Sequence, residues 1–292
     1  QKARRQRQFD FGAMNPLVSD ADRLESSPGV TLELTKEFRI TDLPFLGDYA
    51  LGTSQLSYTD PNLKGLVILP LTVAAEIMGE VASMLVPNRT LQRIDDLCSW
   101  RMVSFEKGEL RLFVRAERIA SGTPRESAVK VMIRDDSPDG AYTRPVLEAT
   151  VVLVDELPAE KPVSVEPLTK PRSVHWSGRE IYPVRLCAGR RLRGIHFVEA
   201  WSETGIDYEI TVPPLAGNVA FTRFPLWIVN PLLLEIIVSG FSLWRSHERF
   251  SGAVSFPIRL RCLSFAGLQP AEGAQLKCYL RLTGVTPKSQ IC

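Results

Sequence analysis

The chain has 292 residues, of which 45% are hydrophobic and 23% charged, as in ordinary globular proteins. Its 35 Lys and Arg nearly balance 33 Asp and Glu, and a net charge of +2 gives no indication of nucleic-acid binding. The longest apolar run, 226–243, is interrupted by Asn230, Pro231, Glu235 and Ser239, so no segment reaches the roughly eighteen apolar residues that cross a bilayer. We expect one large domain or two average ones, with neither a nucleic acid nor a membrane as partner.

The cysteines and the chain ends bear on the compartment. Five cysteines form no CxxC pair and have no histidine at metal-ligand spacing, which argues against a zinc site or any other metal site. Cys98, Cys262 and Cys278 lie in alternating strand patterns, where we expect buried, reduced thiols. With no apolar signal segment, this predicts a cytoplasmic location. A start at Gln1 and an end at Cys292, soon after a strand pattern, predict a piece excised from a longer polypeptide.

The first half of the chain combines strand patterns with a single helix. Residues 1–30, which begin with a basic run, are interpreted as a linker or N-terminal arm. Apolar residues at i, i+3, i+4 and i+7 predict a helix from Leu71 to Leu85, opened by Pro70 and ended by Pro87. Alternating apolar residues predict strands at 31–40, 110–119, 128–134 and 146–154.

A segment with four prolines, 156–172, predicts a semi-rigid linker between units at 31–155 and 173–292. The second unit repeats the order of the first, with a helix from 230 to about 244 that has Asn230 as N-cap and Pro231 in its first turn. A central helix wrapped by an antiparallel sheet, present twice, predicts an α+β fold of double hot-dog type. The strands predicted in this half are 195–201, 207–212, 254–265 and 276–282.

Four segments carry a resemblance to a known family. They are FLGDYALG at 45–52, LPLTVAAE at 69–76, YPVRLCAGRRLRGI at 182–195 and NPLLLE at 230–235. In this order they resemble the dehydratase domains of polyketide synthases and polyunsaturated-fatty-acid synthases, and the second segment favours iterative, fatty-acid-like synthases. The resemblance implies a double hot-dog fold, a phosphopantetheine-bound acyl substrate and no cofactor. As partners it implies an acyl carrier protein and neighbouring synthase domains, and it allows a homodimer.

The catalytic positions depart from the family. The resemblance places Tyr49 where the family has a His that removes the α-proton of a 3-hydroxyacyl thioester. It places Glu235 where the family has an Asp that helps the β-hydroxyl leave as water. A tyrosine titrates near pH 10 and a histidine near 6.5. To act as a base at neutral pH, Tyr49 would need its pKa lowered by roughly three units. The neighbouring Asp48 disfavours the negatively charged phenolate. Glu in place of Asp is a milder change, because the side chain is one methylene longer and its carboxyl is displaced. Such a displacement costs on the order of 100-fold in rate.

The same resemblance assigns substrate-binding positions. They are Gly52, Pro70, Gly189, Gly194 and Ser239, the last standing where the family often has Gln or His a turn after its Asp.

A basic cluster, Arg190, Arg191 and Arg193, follows the third segment. We interpret it as a docking patch for an acidic carrier protein, with a solvated arginine-rich loop as the alternative.

No histidine stands at the family's position. We expect His175 and His247 to be solvated, and His196 to be a half-buried structural residue, with a role in a substrate tunnel as the alternative. The aromatic residues leave two interpretations open, an acyl tunnel or core packing: Trp201, Phe224, Trp227 and Trp244.

Two helix carboxylates support a different hypothesis, because hot-dog thioesterases can activate water with a helix carboxylate and no histidine. Glu76 lies off the apolar face set by Ala74 and Ile77, so we expect it to be solvated. Glu235 interrupts an apolar helix, and either faces a pocket or is a first-turn carboxylate favoured by the helix dipole.

Two functional hypotheses follow. The first is a dehydratase-like domain without dehydratase activity, retained in a synthase as a structural or acyl-chain- and carrier-binding module. The second is an active 3-hydroxyacyl-carrier dehydratase or isomerase, or a thioesterase, that uses Glu235.

Overall fold

The structure is a computed structural model of the chain. It describes residues 14–51, 65–105, 108–136, 144–159, 164–182, 185–186, 188–246, 257–267 and 269–284, and for residues 23–26 and 49–51 it describes the backbone alone. Gly52, Cys187, His247 and Cys292 lie outside the described residues.

The larger sheet is antiparallel and has seven strands. Its predicted strands are found within a few residues of their expected bounds, because alternating apolar residues place one face on the core. Two short strands, β3 (Ala50–Leu51) and β4 (Leu66–Val67), pair separately. In their order across the larger sheet, the strands are β1 (Asp22–Ser27), β2 (Thr31–Arg39), β6 (Glu109–Ile119), β7 (Glu126–Asp135), β8 (Leu147–Val154), β5 (Thr90–Ser99) and β12 (Arg259–Ser264).

Helix α1 (Leu71–Leu85) has the predicted bounds and lies inside this half of the molecule. Pro70 is its N-cap, and thirteen of its fifteen residues are buried. A residue in the middle of the helix, Ile77, is fully buried, and the helix packs on β2, β5, β6, β7 and β8. The sheet therefore wraps the helix, and α1 has almost no face left for solvent.

The smaller sheet has four antiparallel strands in the order β13-β11-β10-β9. Helix α3 (Pro231–Ser246) packs on β11 and β13. The predicted N-cap is confirmed, because Asn230 Oδ1 accepts a hydrogen bond of 3.1 Å from the backbone N–H of Leu233. The remaining elements of this half are β9 (Arg172–Ser177), α2 (Gly178–Ile181), a 3₁₀ helix (Arg190–Leu192), β10 (Ile195–Ser202), β11 (Gly205–Thr211) and β13 (Gln275–Arg281).

The two halves share a sheet. Strand β12 comes late in the chain but pairs with β5, so Leu263 lies opposite Ile94. The N-terminal arm is also partly built into the fold, because β1 pairs with β2 and Leu17 is buried. The strand pattern predicts neither β1 nor β9. The division at 156–172 stays a prediction, and the pairing of β12 with β5 crosses it.

The α+β prediction is confirmed, with two antiparallel sheets and few helices. Of the three cysteines expected to be buried, Cys278 is buried, Cys98 is half-buried and Cys262 is exposed. The prediction for Cys262 is wrong because β12 is an edge strand, and alternation in an edge strand does not ensure that its apolar side chains are covered. In the described part of the chain, no helix is long and apolar enough to cross a membrane.

Candidate functional site

The contact between α1 and α3 brings Thr72 and Glu235 together. Thr72 is fully buried in the first turn of α1, and its hydroxyl donates a hydrogen bond of 2.9 Å to Oε2 of Glu235. The two residues are 163 positions apart in sequence. The contact therefore joins the two halves of the chain.

Glu235 is half-buried on α3, and its carboxyl group is shielded from water. Burial penalises the charged form and raises the pKa of Glu235 to about 7, although the hydrogen bond from Thr72 acts in the opposite direction. Ser239, one turn later, donates its hydroxyl to the backbone oxygen of Glu235 at 2.8 Å. Glu235 can thus gain or lose a proton near neutral pH, which is the property that acid–base chemistry needs.

Glu76, also on α1, is fully buried, so the prediction that it is solvated is wrong. Its carboxyl accepts hydrogen bonds of 2.8, 2.5 and 3.2 Å from the backbone N–H groups of Ile228, Val229 and Asn230. These residues lead directly into α3. Periodicity gives no sign of this contact, because the partner is backbone more than 150 residues away.

Glu80 is a further buried carboxyl that the sequence reasoning misses. It accepts hydrogen bonds of 3.0–3.1 Å from the backbone N–H groups of Leu17 and Val18. Burial is the main cause that raises the pKa of both Glu76, to about 7, and Glu80, and the nearby Glu76 carboxylate raises that of Glu80 further. The sequence feature that could have indicated these buried carboxyls is their spacing. Thr72, Glu76 and Glu80 recur every four residues and so lie on one side of a buried helix.

The segment that carries Tyr49 is held by the second half of the chain. Tyr49 ends a 3₁₀ helix, Pro44–Tyr49, and its side chain is not described. The neighbouring Asp48 accepts hydrogen bonds from the guanidinium (3.1 Å) and the backbone N–H (3.4 Å) of Arg191. Gly189 lies against the same carboxyl, where a Cβ would overlap Asp48. The position of Tyr49 along the backbone is therefore fixed by a contact between the halves.

The other predicted binding residues occupy defined places. Pro70 is buried at the start of α1. Gly194 packs on α3, where a Cβ would come within 2.6 Å of Cδ1 of Ile236. Gly52 is outside the described residues, and the hydroxyl of Ser239 is engaged with the α3 backbone. Their assignment to substrate binding stays a prediction.

Neither described histidine contacts Glu235. His175 is exposed, as predicted. His196 is half-buried, also as predicted, with Nε2 at 3.2 Å from Glu209 and Nδ1 at 3.4 Å from Thr211, both on the adjacent strand β11. Its ring nitrogens thus face the neighbouring strand.

The three arginines of the cluster have different contacts, and their assignment to carrier docking stays a prediction. Arg191 forms the ion pair with Asp48 and also donates to the backbone oxygen of Pro44 at 3.4 Å. Arg190 and Arg193 are exposed, and Arg193 donates to the backbone oxygen of Ala188 at 3.1 Å. Two of the three arginines therefore remain as candidates for carrier docking.

The aromatic residues divide between core and surface. The indole nitrogen of Trp201 donates to the backbone oxygen of Trp244, and that of Trp244 donates to the backbone oxygen of Ser202, so these two are core residues. Trp227 is half-buried and packs edge-on against Phe45 at 6.0 Å between ring centroids. Phe224 is exposed. In the part of the chain that the structure describes, no group of three His, Cys, Asp or Glu side chains could hold a metal ion.

The fold matches solved structures of polyketide synthase dehydratase domains. The dehydratase domain from the CurK module of the curacin polyketide synthase aligns with a TM-score of 0.63 and 12% identity, over 94% of this chain and 89% of that one. This chain has the double hot-dog fold of polyketide synthase dehydratase domains. No family model matches the sequence, and a search of curated proteins finds no match.

Two other matches are of the same kind. The dehydratase domain from the CurJ module of the curacin synthase aligns with a TM-score of 0.59 and 18% identity, over 88% of this chain and 82% of that one. A His-to-Phe variant of the PpsC dehydratase domain from Mycobacterium tuberculosis aligns with a TM-score of 0.54 and 19% identity, over 80% and 76%. Two further structures are CurK variants described as inactive, one with His replaced by Phe and one with Asp replaced by Asn.

Proposed function

We propose that this chain is a dehydratase-like domain of a polyketide or polyunsaturated-fatty-acid synthase that binds carrier-bound acyl chains but does not dehydrate them. The observation that carries the proposal is the tyrosine at position 49, where the resemblance places a catalytic histidine. The backbone at position 49 is docked against the second half through Asp48 and Arg191, but the residue there is a tyrosine.

The related structures support the importance of this change. In the CurK dehydratase, a His-to-Phe variant and an Asp-to-Asn variant are both described as inactive. If the same two positions act in this chain, it has lost the His altogether and has Glu235 in place of the Asp. A phenol is a poor base at neutral pH, since its ordinary pKa is about 10.

Neither described histidine is placed to supply the base. His196 is engaged with Glu209 and Thr211, and His175 is exposed on β9, which is the edge strand of the smaller sheet. We infer that the domain retains the binding part of the site and lacks the proton-abstracting part. Its ligand would be an acyl thioester of phosphopantetheine, delivered in the cytoplasm by an acyl carrier protein that docks beside Arg190 and Arg193.

A second candidate function is an active hydro-lyase or thioesterase that uses Glu235. It is favoured by the pKa of about 7 that burial gives this carboxyl, because a group that titrates near neutral pH can act as acid or base. In this candidate, Glu235 would activate water or donate a proton, and Tyr49 would serve as hydrogen-bond donor.

A mass-spectrometric assay separates the two candidates. The chain is incubated with a 3-hydroxyacyl pantetheine and, separately, with its 2-enoyl product, and loss of water, gain of water and thioester cleavage are followed. The proposal predicts binding with none of these reactions. Turnover that is abolished by Glu235→Gln would establish the second candidate, and absence of binding would leave only a structural role.

A further inference from the structure

We propose that Thr72 is a positioning residue for Glu235: its hydroxyl fixes the orientation of the carboxyl at the α1–α3 contact and so determines which of the two oxygens faces a ligand. The hydroxyl donates to Oε2 at 2.9 Å. In the described part of the chain, no other side chain donates to this carboxyl. The consequence for ligand binding rests on the proposed function, whereas the orientation of the carboxyl does not.

The fold makes the donor rigid. Thr72 is completely buried, and it follows Pro70 and Leu71 at the start of a helix that the larger sheet encloses. A threonine in a helix has two main rotamers, and burial together with the hydrogen bond to Glu235 selects one of them. On the other side, Glu76 binds the three residues that precede α3, which fixes the start of the helix that carries Glu235.

A hydrogen bond to one oxygen makes the two oxygens of the carboxyl different. In a neutral carboxyl group, the carbonyl oxygen is the better acceptor, and the hydroxyl oxygen carries the proton. Because Oε2 accepts from Thr72, the proton of the neutral form lies on Oε1. Thr72 thus presents Oε1 as a donor below the pKa of Glu235 and as an acceptor above it.

The other titratable groups on the elements that pack against α3 have their own partners. Glu76 on α1 is bound to backbone N–H groups, and Tyr208 on β11 donates to the backbone oxygen of Ile237. Cys278 on β13 is buried, and Arg190 and Arg191 on the second 3₁₀ helix are exposed. The shift of the Glu235 pKa has two causes, burial and Thr72, and no charged neighbour contributes.

The test is the titration of Glu235, followed by carboxyl ¹³C NMR or by infrared difference spectroscopy, with Glu235→Gln to assign the signal. Thr72→Val keeps the shape of the side chain and removes the hydroxyl, while Thr72→Ser keeps the hydroxyl and removes a methyl. A hydrogen bond favours the charged carboxylate more than the neutral acid. We therefore expect Thr72→Val to raise the midpoint by roughly one pH unit and Thr72→Ser to leave it near 7.

The controls separate positioning from packing. Thr35→Val, the same change at a buried threonine on β2, should leave the midpoint of Glu235 unchanged. A packing role predicts the opposite ranking, with Val tolerated and Ser harmful. An unchanged midpoint in Thr72→Val, or equal shifts in Val and Ser, would overturn the proposal. If Val prevents folding, Thr72→Ala removes the hydroxyl without adding bulk and is compared with Ser in the same way.

A binding measurement links this role to the proposed function. The Kd of a 3-hydroxyacyl pantetheine is measured between pH 5.5 and 8.5, and we expect its pH midpoint to move with that of Glu235 in the Thr72 variants. Failure of the wild-type chain to bind at any pH contradicts the proposed function alone, since the carboxyl titration needs no ligand. If the pH midpoint of binding is the same in Thr72→Val as in the wild-type chain, the positioning role is contradicted.

Discussion

Gly189 lies directly against the carboxyl group of Asp48, so closely that a Cβ atom at position 189 would overlap the oxygen and carbons of that side chain. The same carboxyl forms the ion pair with Arg191. Tyr49 follows Asp48 directly in the sequence. A residue of the second half thus has to be glycine so that the segment of the first half that carries Tyr49 can dock.

We predict that Gly189→Ala lowers the free energy of unfolding by about 1–3 kcal/mol, because the added methyl must displace Asp48 and the 3₁₀ helix that contains it. Urea unfolding measures the change. Gly47→Ala is the matched control, since no atom lies within 4 Å of a Cβ at that position, and its effect should stay within about 0.5 kcal/mol. Equal effects of the two variants would show that the contact with Asp48 is not tight.

Glu76 should contribute more to stability than a surface glutamate. Glu76→Gln keeps one acceptor oxygen but places an NH2 group where the carboxyl accepts a backbone N–H, so we predict a loss of about 1–3 kcal/mol in the free energy of unfolding. Glu203→Gln, on an exposed turn, should have almost no effect. A loss in Glu76→Gln no larger than that in Glu203→Gln would contradict the buried position of Glu76.

Stability should fall as pH rises through neutrality. Burial raises the pKa of Glu235 from an ordinary 4.5 to about 7, so the folded chain retains a proton that the unfolded chain has released. The contribution is fully present below about pH 4.5 and is lost as pH approaches 7, which for Glu235 amounts to on the order of 3 kcal/mol. Urea unfolding from pH 5 to 8.5 should show this slope. Glu235→Gln should make it less steep and leave the part due to Glu76 and Glu80, whose pKa values burial also raises. If stability depends on pH equally in the wild-type chain and in Glu235→Gln, the pKa of Glu235 is not raised.

The arginines should differ in function. We predict that charge reversal at Arg190 and Arg193 weakens binding of the parent synthase's carrier domain by at least tenfold at low salt, with a smaller effect at high salt. Arg191→Ala should instead lower stability, because Arg191 holds Asp48. Isothermal titration calorimetry measures the affinity of each single variant, Arg190→Glu or Arg193→Glu, with Arg118→Glu on β6 as the control of equal charge change. If that control weakens binding as much, the effect is one of net charge and the cluster is no docking site.

Much of the fold follows from sequence periodicity. The bounds of α1 and the Asn230 cap of α3 could be predicted, because apolar spacing, proline and a capping side chain are local signals. The pairing of β12 with β5 could not, since strand partners far apart in sequence leave no mark on either strand. The exposure of Cys262 follows from that pairing, which places its strand at a sheet edge.

The candidate site was predictable in part. The family pattern points to Glu235, and its place in an apolar helix indicates a perturbed carboxyl. The burial of Glu76 could not be read from one helix, because it depends on backbone N–H groups supplied by the segment before α3. Helix periodicity treats an off-face carboxylate as solvated, and this fails for α1, because α3 and the segment before it cover a side of the helix that the sheet does not.

If the chain lacks a base for the α-proton of a 3-hydroxyacyl thioester, as we propose, it does not catalyse exchange of that proton with solvent. A 3-hydroxyacyl pantetheine is incubated with the chain in D2O, and deuterium at the α-carbon is measured by mass spectrometry or NMR. The account predicts exchange no faster than without protein, and exchange above that background in Tyr49→His combined with Glu235→Asp. Exchange catalysed by the wild-type chain and lost in Tyr49→Phe would contradict it.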